Sequence, residues 1–187
     1  MNISHYVELS ISPRFFGGEH KKPPVVKWFE LTLKLIHAIS SRSGVLYPIA
    51  LPDYKKGEFS MLGKRIRVFG EKDKLEFLVS EIKKHENFLI NIDVSACRKT
   101  PKSEEWLVYT RVRFPERKKM DHSKYIEKVR NFEKLPQIKL QSDSNKNWFV
   151  IGIEVREALR EEISKNGGTV STYGFSHSND VVALPDF

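Results

Sequence analysis

The sequence predicts an α+β fold: an N-terminal ferredoxin-like (βαββαβ) domain followed by a smaller C-terminal α+β domain that carries a basic helix. Three observations lead there. Over residues 1–99, period-two strands and helical stretches follow one another in the order β-α-β-β-α-β. After Lys99-Thr-Pro-Lys102 the composition shifts, dividing the 187-residue chain into 1–99 and 100–187. The second part opens on concentrated charge: from Arg111 to Lys139 there are ten Lys or Arg against four Asp or Glu, an excess of +6 out of a formal net charge of +8.

Tyr6–Ile11 alternates, with Val7, Leu9 and Ile11 on one face and Glu8 and Ser10 on the other, as in a half-buried strand. Residues 13–24, with Gly17-Gly18 and Pro23-Pro24, read as a loop. A helix is expected from Val25 to Ser40, burying Trp28, Leu31, Leu35, Ala38 and Ile39. Glu30 and Lys34 sit at i,i+4 on its polar stripe, worth about 0.3 kcal/mol. His37 falls in the expected last turn, where the negative end of the macrodipole favours a protonated ring, and Gly44 marks the stop. Val45–Leu51 and Lys64–Phe69 read as strands. Asp73 reads as the cap of a helix burying Leu75, Leu78, Val79 and Ile82, and Leu89–Val94 as the closing strand.

In the second part, Trp106–Arg113 reads as a strand that delivers Arg111 and Arg113 to one face. A helix from Pro115 to Lys134 would place Arg117, Lys124 and Lys128 within about 40° of one another. Pro136 ends it, Trp148–Val155 is the next strand, and Arg156–Lys165 has helical composition. The chain closes with Ser171–Ser178 and a short apolar tail.

Composition excludes several classes. Apolar residues make up 40% and charged residues 30%, enough for a buried core. The single cysteine, Cys97, rules out a disulfide framework and a cysteine-based zinc site. No run approaches the ~18 apolar residues of a membrane span, and the N-terminus lacks a signal-peptide pattern. A cytoplasmic protein without a membrane partner is expected. The six histidines are dispersed, so neither a metal site nor a cofactor is expected, and P-loop and nucleophile-elbow motifs are absent. The aromatic signature of an RRM is absent too.

The basic segment is an electrostatic address for a polyanion, RNA or DNA being the commonest, with a solvated helix face as the plainer alternative. Beside it, chemistry could come from His37, the Ser142/Ser144 pair and Tyr173. RNA carries its own nucleophile, the 2′-hydroxyl. A protein need only remove its proton, hold the oxygen in line and neutralise the phosphate. Each residue also fits a duller role: His37 as an exposed histidine near a helix end, the serines as turn residues, Tyr173 as a loop aromatic against the core. The residues alone support a basic α+β protein that binds nucleic acid.

Four patches say more: Leu35-Ile36-His37-Ala38, Leu62-Gly63-Lys64-Arg65-Ile66-Arg67, Gln141-Ser142-Asp143-Ser144 with Phe149 downstream, and Thr172-Tyr173-Gly174-Phe175-Ser176. In order and spacing they resemble the Leu-His pair, Leu-Gly-x-x-Leu-Arg strand, Ser-x-Ser turn and Tyr-Gly-Leu-Ser segment of the type I-F CRISPR repeat-processing endoribonucleases. The resemblance implies a metal-independent endoribonuclease that binds the CRISPR repeat stem-loop in precursor crRNA and cuts at its 3′ foot. The products would be a 5′-hydroxyl and a 2′,3′-cyclic phosphate. The protein would then stay on the crRNA hairpin with the other subunits of a type I-F surveillance (Cascade-like) complex.

In that reading His37 is the general base, Ser142 holds the 2′-hydroxyl, and Tyr173 orients the histidine. Phe149 stacks on the terminal base pair and Arg111 reads a guanine edge. Arg113, Arg117, Lys118, Lys119, Lys124, Lys128 and Ser144 complete the RNA contacts. The chain has Arg113 where the family has glutamine, and lysines where its basic helix is arginine-rich, which implies steeper salt sensitivity. The alternative is a non-catalytic hairpin-binding subunit of a CRISPR or transposon-associated complex.

Overall fold

A computed structural model describes residues 2–12, 25–55, 61–85, 92–117, 120–142, 146–165 and 167–187. The expected loop at 13–24, residues 89–91 of an expected strand, and Lys118, Lys119 and Ser144 lie outside the described residues. The first part contains β1 (His5–Ile11), α1 (Val25–Ser43), β2 (Ile49–Ala50), β3 (Arg65–Gly70), α2 (Lys72–Lys83), β4 (Ile92–Val94) and β5 (Arg98–Lys99). Its antiparallel sheet has the order β2-β3-β1-β4, with β5 continuing along the β4 edge of β1. That is the ferredoxin-like arrangement of the βαββαβ unit. Val7 faces Val68 and Leu9 faces Ile66 across the central pair, and all four side chains are buried.

The second part contains β6 (Glu105–Arg113), α3 (His122–Glu133), β7 (Gln137–Gln141), β8 (Trp148–Glu157), α4 (Arg160–Lys165) and β9 (Ala183–Asp186). Its sheet order, β7-β8-β6-β9, is antiparallel throughout. In chain order this is β-α-β-β-α-β again, with the strands placed as in the first sheet. The second half therefore repeats the plan of the first. The strands β7 and β9 escape a sequence reading because each is short: Ile138 and Leu140 are the only apolar residues of β7, and β9 holds a proline.

Several expected boundaries move, each for a local reason. Of Val45–Leu51 only Ile49–Ala50 is a strand, because Pro48 has no N–H and the Ile49 N–H bonds the Gly174 carbonyl (2.9 Å) rather than a ladder partner. Helix α1 runs three residues past Ser40, so His37 lies more than a turn from its end, outside the reach of the macrodipole. Leu31 is exposed, whereas Phe29, Leu33 and Ile36 join the core, and Glu30 pairs with Lys27 at 2.8 Å rather than with Lys34. Helix α2 starts after Glu71, with Asp73 in its first turn.

The expected helix Pro115–Lys134 begins only at His122. There the Asp121 side chain accepts from the Lys124 N–H at 3.0 Å and caps it. Arg117 therefore precedes the helix and does not share a face with Lys124 and Lys128. Arg156 and Glu157 belong to β8, and the helix expected over Arg156–Lys165 is confined to α4.

One continuous core joins the two halves. Helix α1 packs against β7, and β2 touches β6 and β9. Phe187, just after β9, lies edge-on to Tyr6 (5.1 Å between centroids) and covers the Arg67 guanidinium at 3.8 Å. Among the described residues no helix is long and apolar enough to cross a membrane.

Candidate active site

The C-terminal turn carries the aromatic centre of the site. Ser171 N–H reaches the Phe175 carbonyl (2.9 Å) and Gly174 N–H the Ser171 carbonyl (2.8 Å), folding residues 171–175 on themselves. Gly174 has φ +84, and a Cβ there would lie 2.5 Å from Ile49 and 2.6 Å from the Tyr47 carbonyl oxygen. Only glycine allows this turn to press on β2. On its other side the turn is fastened to β6: Arg111 N–H donates to the Ser176 carbonyl (3.1 Å), and Ser176 N–H to the Tyr109 carbonyl (2.9 Å). Tyr173 and Arg111 are thus held by one backbone network.

That network meets α1 at His37. The imidazole lies parallel to the Tyr173 ring, with 4.2 Å between centroids and 7° between planes. Its Nδ1 is 2.8 Å from Thr172 Oγ1. Phe149, from β8, stands edge-on to Tyr173 at 6.2 Å. Residues 37, 149 and 172–173, three points far apart in the chain, therefore form one cluster.

A cavity of about 640 Å³ opens beside it, lined by Ser142, Phe149 and Tyr173 together with Arg111, Arg113 and Trp148. Ser142 enters at the hairpin between β7 and β8, where its N–H bonds the Asn147 carbonyl at 2.9 Å. The β6–β8 and β7–β8 registers place Arg111 and Arg113 on the same sheet face as Phe149, Ile151 and Ile153. Arg111 is half-buried, and its pKa is depressed first by burial and then by the like charge of Arg113. A partly desolvated guanidinium beside a second arginine suits an anionic ligand.

A second hollow of about 630 Å³ lies under α3, lined by Lys128 and Asn131 together with Arg111, Arg113, His177 and Ser178. Leu135 and Phe132 close over Gly152, fixing α3 on β8. Of the cationic residues expected to meet RNA, the structure brings Arg111, Arg113 and Lys128 together. Lys124 is exposed on α3 beside Asp121, and Arg117 lies before the helix. Phe149 is half-buried, and the exposed aromatics on the rim include Phe114 and Trp148, with Lys139 Nζ over the Trp148 ring at 4.9 Å.

Sequence reasoning missed the Thr172 hydroxyl at His37. Its only signal was its place before Tyr173, which does not tell where a hydroxyl points. The Leu62-Gly63…Arg67 patch lies away from this cluster and has a structural role. Gly63 (φ +84) has no room for a Cβ beside Asp53, and Arg67 is buried against Glu8. Among the described residues no three His, Cys, Asp or Glu side chains converge as a metal site requires.

The family model for CRISPR-associated protein (Cas_Csy4) matches residues 24–187 of the chain. Among solved structures, Thermus thermophilus Cse3 bound to an RNA representing a pre-cleavage complex aligns over 98% of this chain and 100% of its own. The identity is 10% and the TM-score 0.38. The chlorite dismutase candidate TA0507 aligns over 96% and 90%, at 8% identity and a TM-score of 0.30. At such scores neither likeness bears weight, and the fold stands on its strand order. No curated protein matches the sequence.

Proposed function

The chain belongs to the Cas_Csy4 family, the type I-F CRISPR repeat-processing endoribonucleases, and we propose that it binds the repeat stem-loop of precursor crRNA and cuts at its 3′ foot by attack of the 2′-hydroxyl. His37 takes the 2′-hydroxyl proton. The 2′-oxygen bonds to phosphorus as the bond to the 5′-oxygen breaks, and the departing oxygen gains a proton from the imidazolium or from water. A 2′,3′-cyclic phosphate and a 5′-hydroxyl remain. Ser142 holds the 2′-hydroxyl, Tyr173 fixes the plane of the imidazole, and Arg111 meets the hairpin foot with Arg113 beside it. Phe149 supports Tyr173 and borders the surface against which the last base pair rests. Lys124 and Lys128 follow the phosphates of the stem, with Arg117, Lys118, Lys119 and Ser144 as further contacts.

All the groups the reaction needs belong to the chain and the RNA, so no metal enters the steps. After cutting, the product hairpin stays bound and carries the protein into a type I-F surveillance complex. The observation that carries this reading is the cluster of His37 stacked on Tyr173, next to a cavity lined by Ser142 and two arginines. Substituting His37→Ala tests it: cleavage should fall by at least about 100-fold, the scale of general-base catalysis, while affinity for the hairpin is retained. A variant that still cut at the original rate would remove His37 from the mechanism.

A further inference from the structure

The partners of His37 include one hydroxyl that the reaction as proposed leaves without a role. We infer that Thr172 is a positioning residue: its Oγ1 accepts a hydrogen bond from His37 Nδ1–H and so assigns Nε2 as the nitrogen that takes the proton from RNA. This rests on the reading of His37 as the general base.

Stacking on Tyr173 fixes the plane of the imidazole but not its orientation within that plane. A half-turn about Cβ–Cγ exchanges nitrogens for carbons while keeping the stack. The 2.8 Å contact from Nδ1 to Thr172 Oγ1 removes that degeneracy. The tautomer follows from the chemistry of the cycle. A neutral imidazole has one N–H and one lone pair, whereas the imidazolium formed on proton transfer has two N–H groups. A hydroxyl that accepts from Nδ1–H serves both states unchanged. A hydroxyl that donates to Nδ1 must turn away as the ring is protonated. The accepting arrangement costs no reorganisation during the step, and which nitrogen carries the lone pair is set by the hydrogen bond on the other.

Thr172 is well placed for this because its backbone belongs to the turn fastened to both β6 and β2. Its hydroxyl is offered by a fixed element, and α1 brings the ring to it.

Two measurements test the assignment. Long-range ¹H–¹⁵N spectra of the full chain, at a pH where the ring is neutral, should show His37 as the Nδ1–H tautomer. A predominant Nε2–H form would overturn the inference without any variant being made. Under single-turnover conditions Thr172→Val, nearly the same in shape, should cut repeat RNA roughly tenfold or more slowly, as when orienting partners of other functional histidines are lost. It should bind the hairpin as before, and Thr172→Ser should restore the rate. Thr172→Val at the original rate, or Thr172→Ser as slow as Thr172→Val while melting like the parent, would overturn it as well. The two ideas fail differently: a His37→Ala protein that cuts normally defeats the general base, while the tautomer spectrum still reports on the hydrogen bond.

Discussion

At the scale of single residues, the proposed catalysis depends on the position of one turn. Gly174 is the residue that lets residues 171–175 sit against β2, so Gly174→Ala should displace Tyr173 from the His37 ring. Cleavage of repeat RNA by that variant should fall with melting temperature, since the added methyl meets Ile49 and the Tyr47 carbonyl. A variant melting lower but cutting at full rate would show that the turn is merely structural. The sequence singled out His37, Ser142 and Tyr173 through their short motifs, although composition and spacing alone left each with a plainer role; the fold stacks His37 on Tyr173 and puts Ser142 on the adjoining cavity. Thr172 was not legible, because a hydroxyl declares its partner only when a fold brings a second element to it. The dipole argument made for His37 from its helix position fails: α1 extends to Ser43, and the dipole acts only over the last turn.

At the scale of elements, α3 and β6 together make the cationic surface. The basic run suggested one long helix, yet Asp121 has a capping bond that fixes the start at His122 and leaves Arg117 ahead of it. Lys128 borders a hollow with Arg111 and Arg113 and, as a point charge rather than a bidentate fork, should touch phosphate rather than a base edge. Lys128→Ala should weaken hairpin binding evenly across stem sequences and reduce the slope of log K against log salt by about 0.7–1, one phosphate contact. Binding measured over a salt series reads this slope, and an unchanged slope places Lys128 off the RNA. Of the strands of greatest consequence, β1 and β3 were readable from alternation, and β6 and β8 as strand-like stretches. β7 and β9 were not, because each is short, and the shortening of β2 was not, because it depends on the distant Gly174 carbonyl.

At the scale of the whole molecule, two βαββαβ units share one core, and an ion pair with a buried arginine lies where they meet. Arg67, 3% exposed, is 2.9 Å from Glu8 Oε1 and is covered by Phe187. Removing one partner strands a buried charge, so Glu8→Ala should lower unfolding free energy by about 3 kcal/mol. Chemical denaturation checks this, and a loss well under 1 kcal/mol would mean that water reaches Arg67. Nearby, the side-chain hydrogen bonds of Arg65 hold the Asp53 carboxyl below its ordinary range, helped by the Lys64 N–H and opposed by burial. A carboxyl whose folded pKa is depressed contributes fully above its unfolded value, near pH 4, and loses that contribution as pH falls through the folded value. Asp53→Asn should therefore be less stable than the parent at neutral pH, with the gap closing below about pH 4. A gap that stays constant to low pH would assign it to shape rather than charge. The first sheet was foreseeable as a ferredoxin-like unit, but the second copy of that plan was hidden by strands too short to announce themselves.

On the proposed reading, these scales meet in a cut made by the RNA's own hydroxyl. The most direct test is cleavage of a labelled repeat hairpin in EDTA, beside a copy with a single 2′-deoxy nucleotide at the cut site. The all-RNA hairpin should be cut to a cyclic-phosphate end, and the deoxy copy should be bound but left whole. Cutting of both copies, or of neither while both are bound, would contradict 2′-hydroxyl attack assisted by His37.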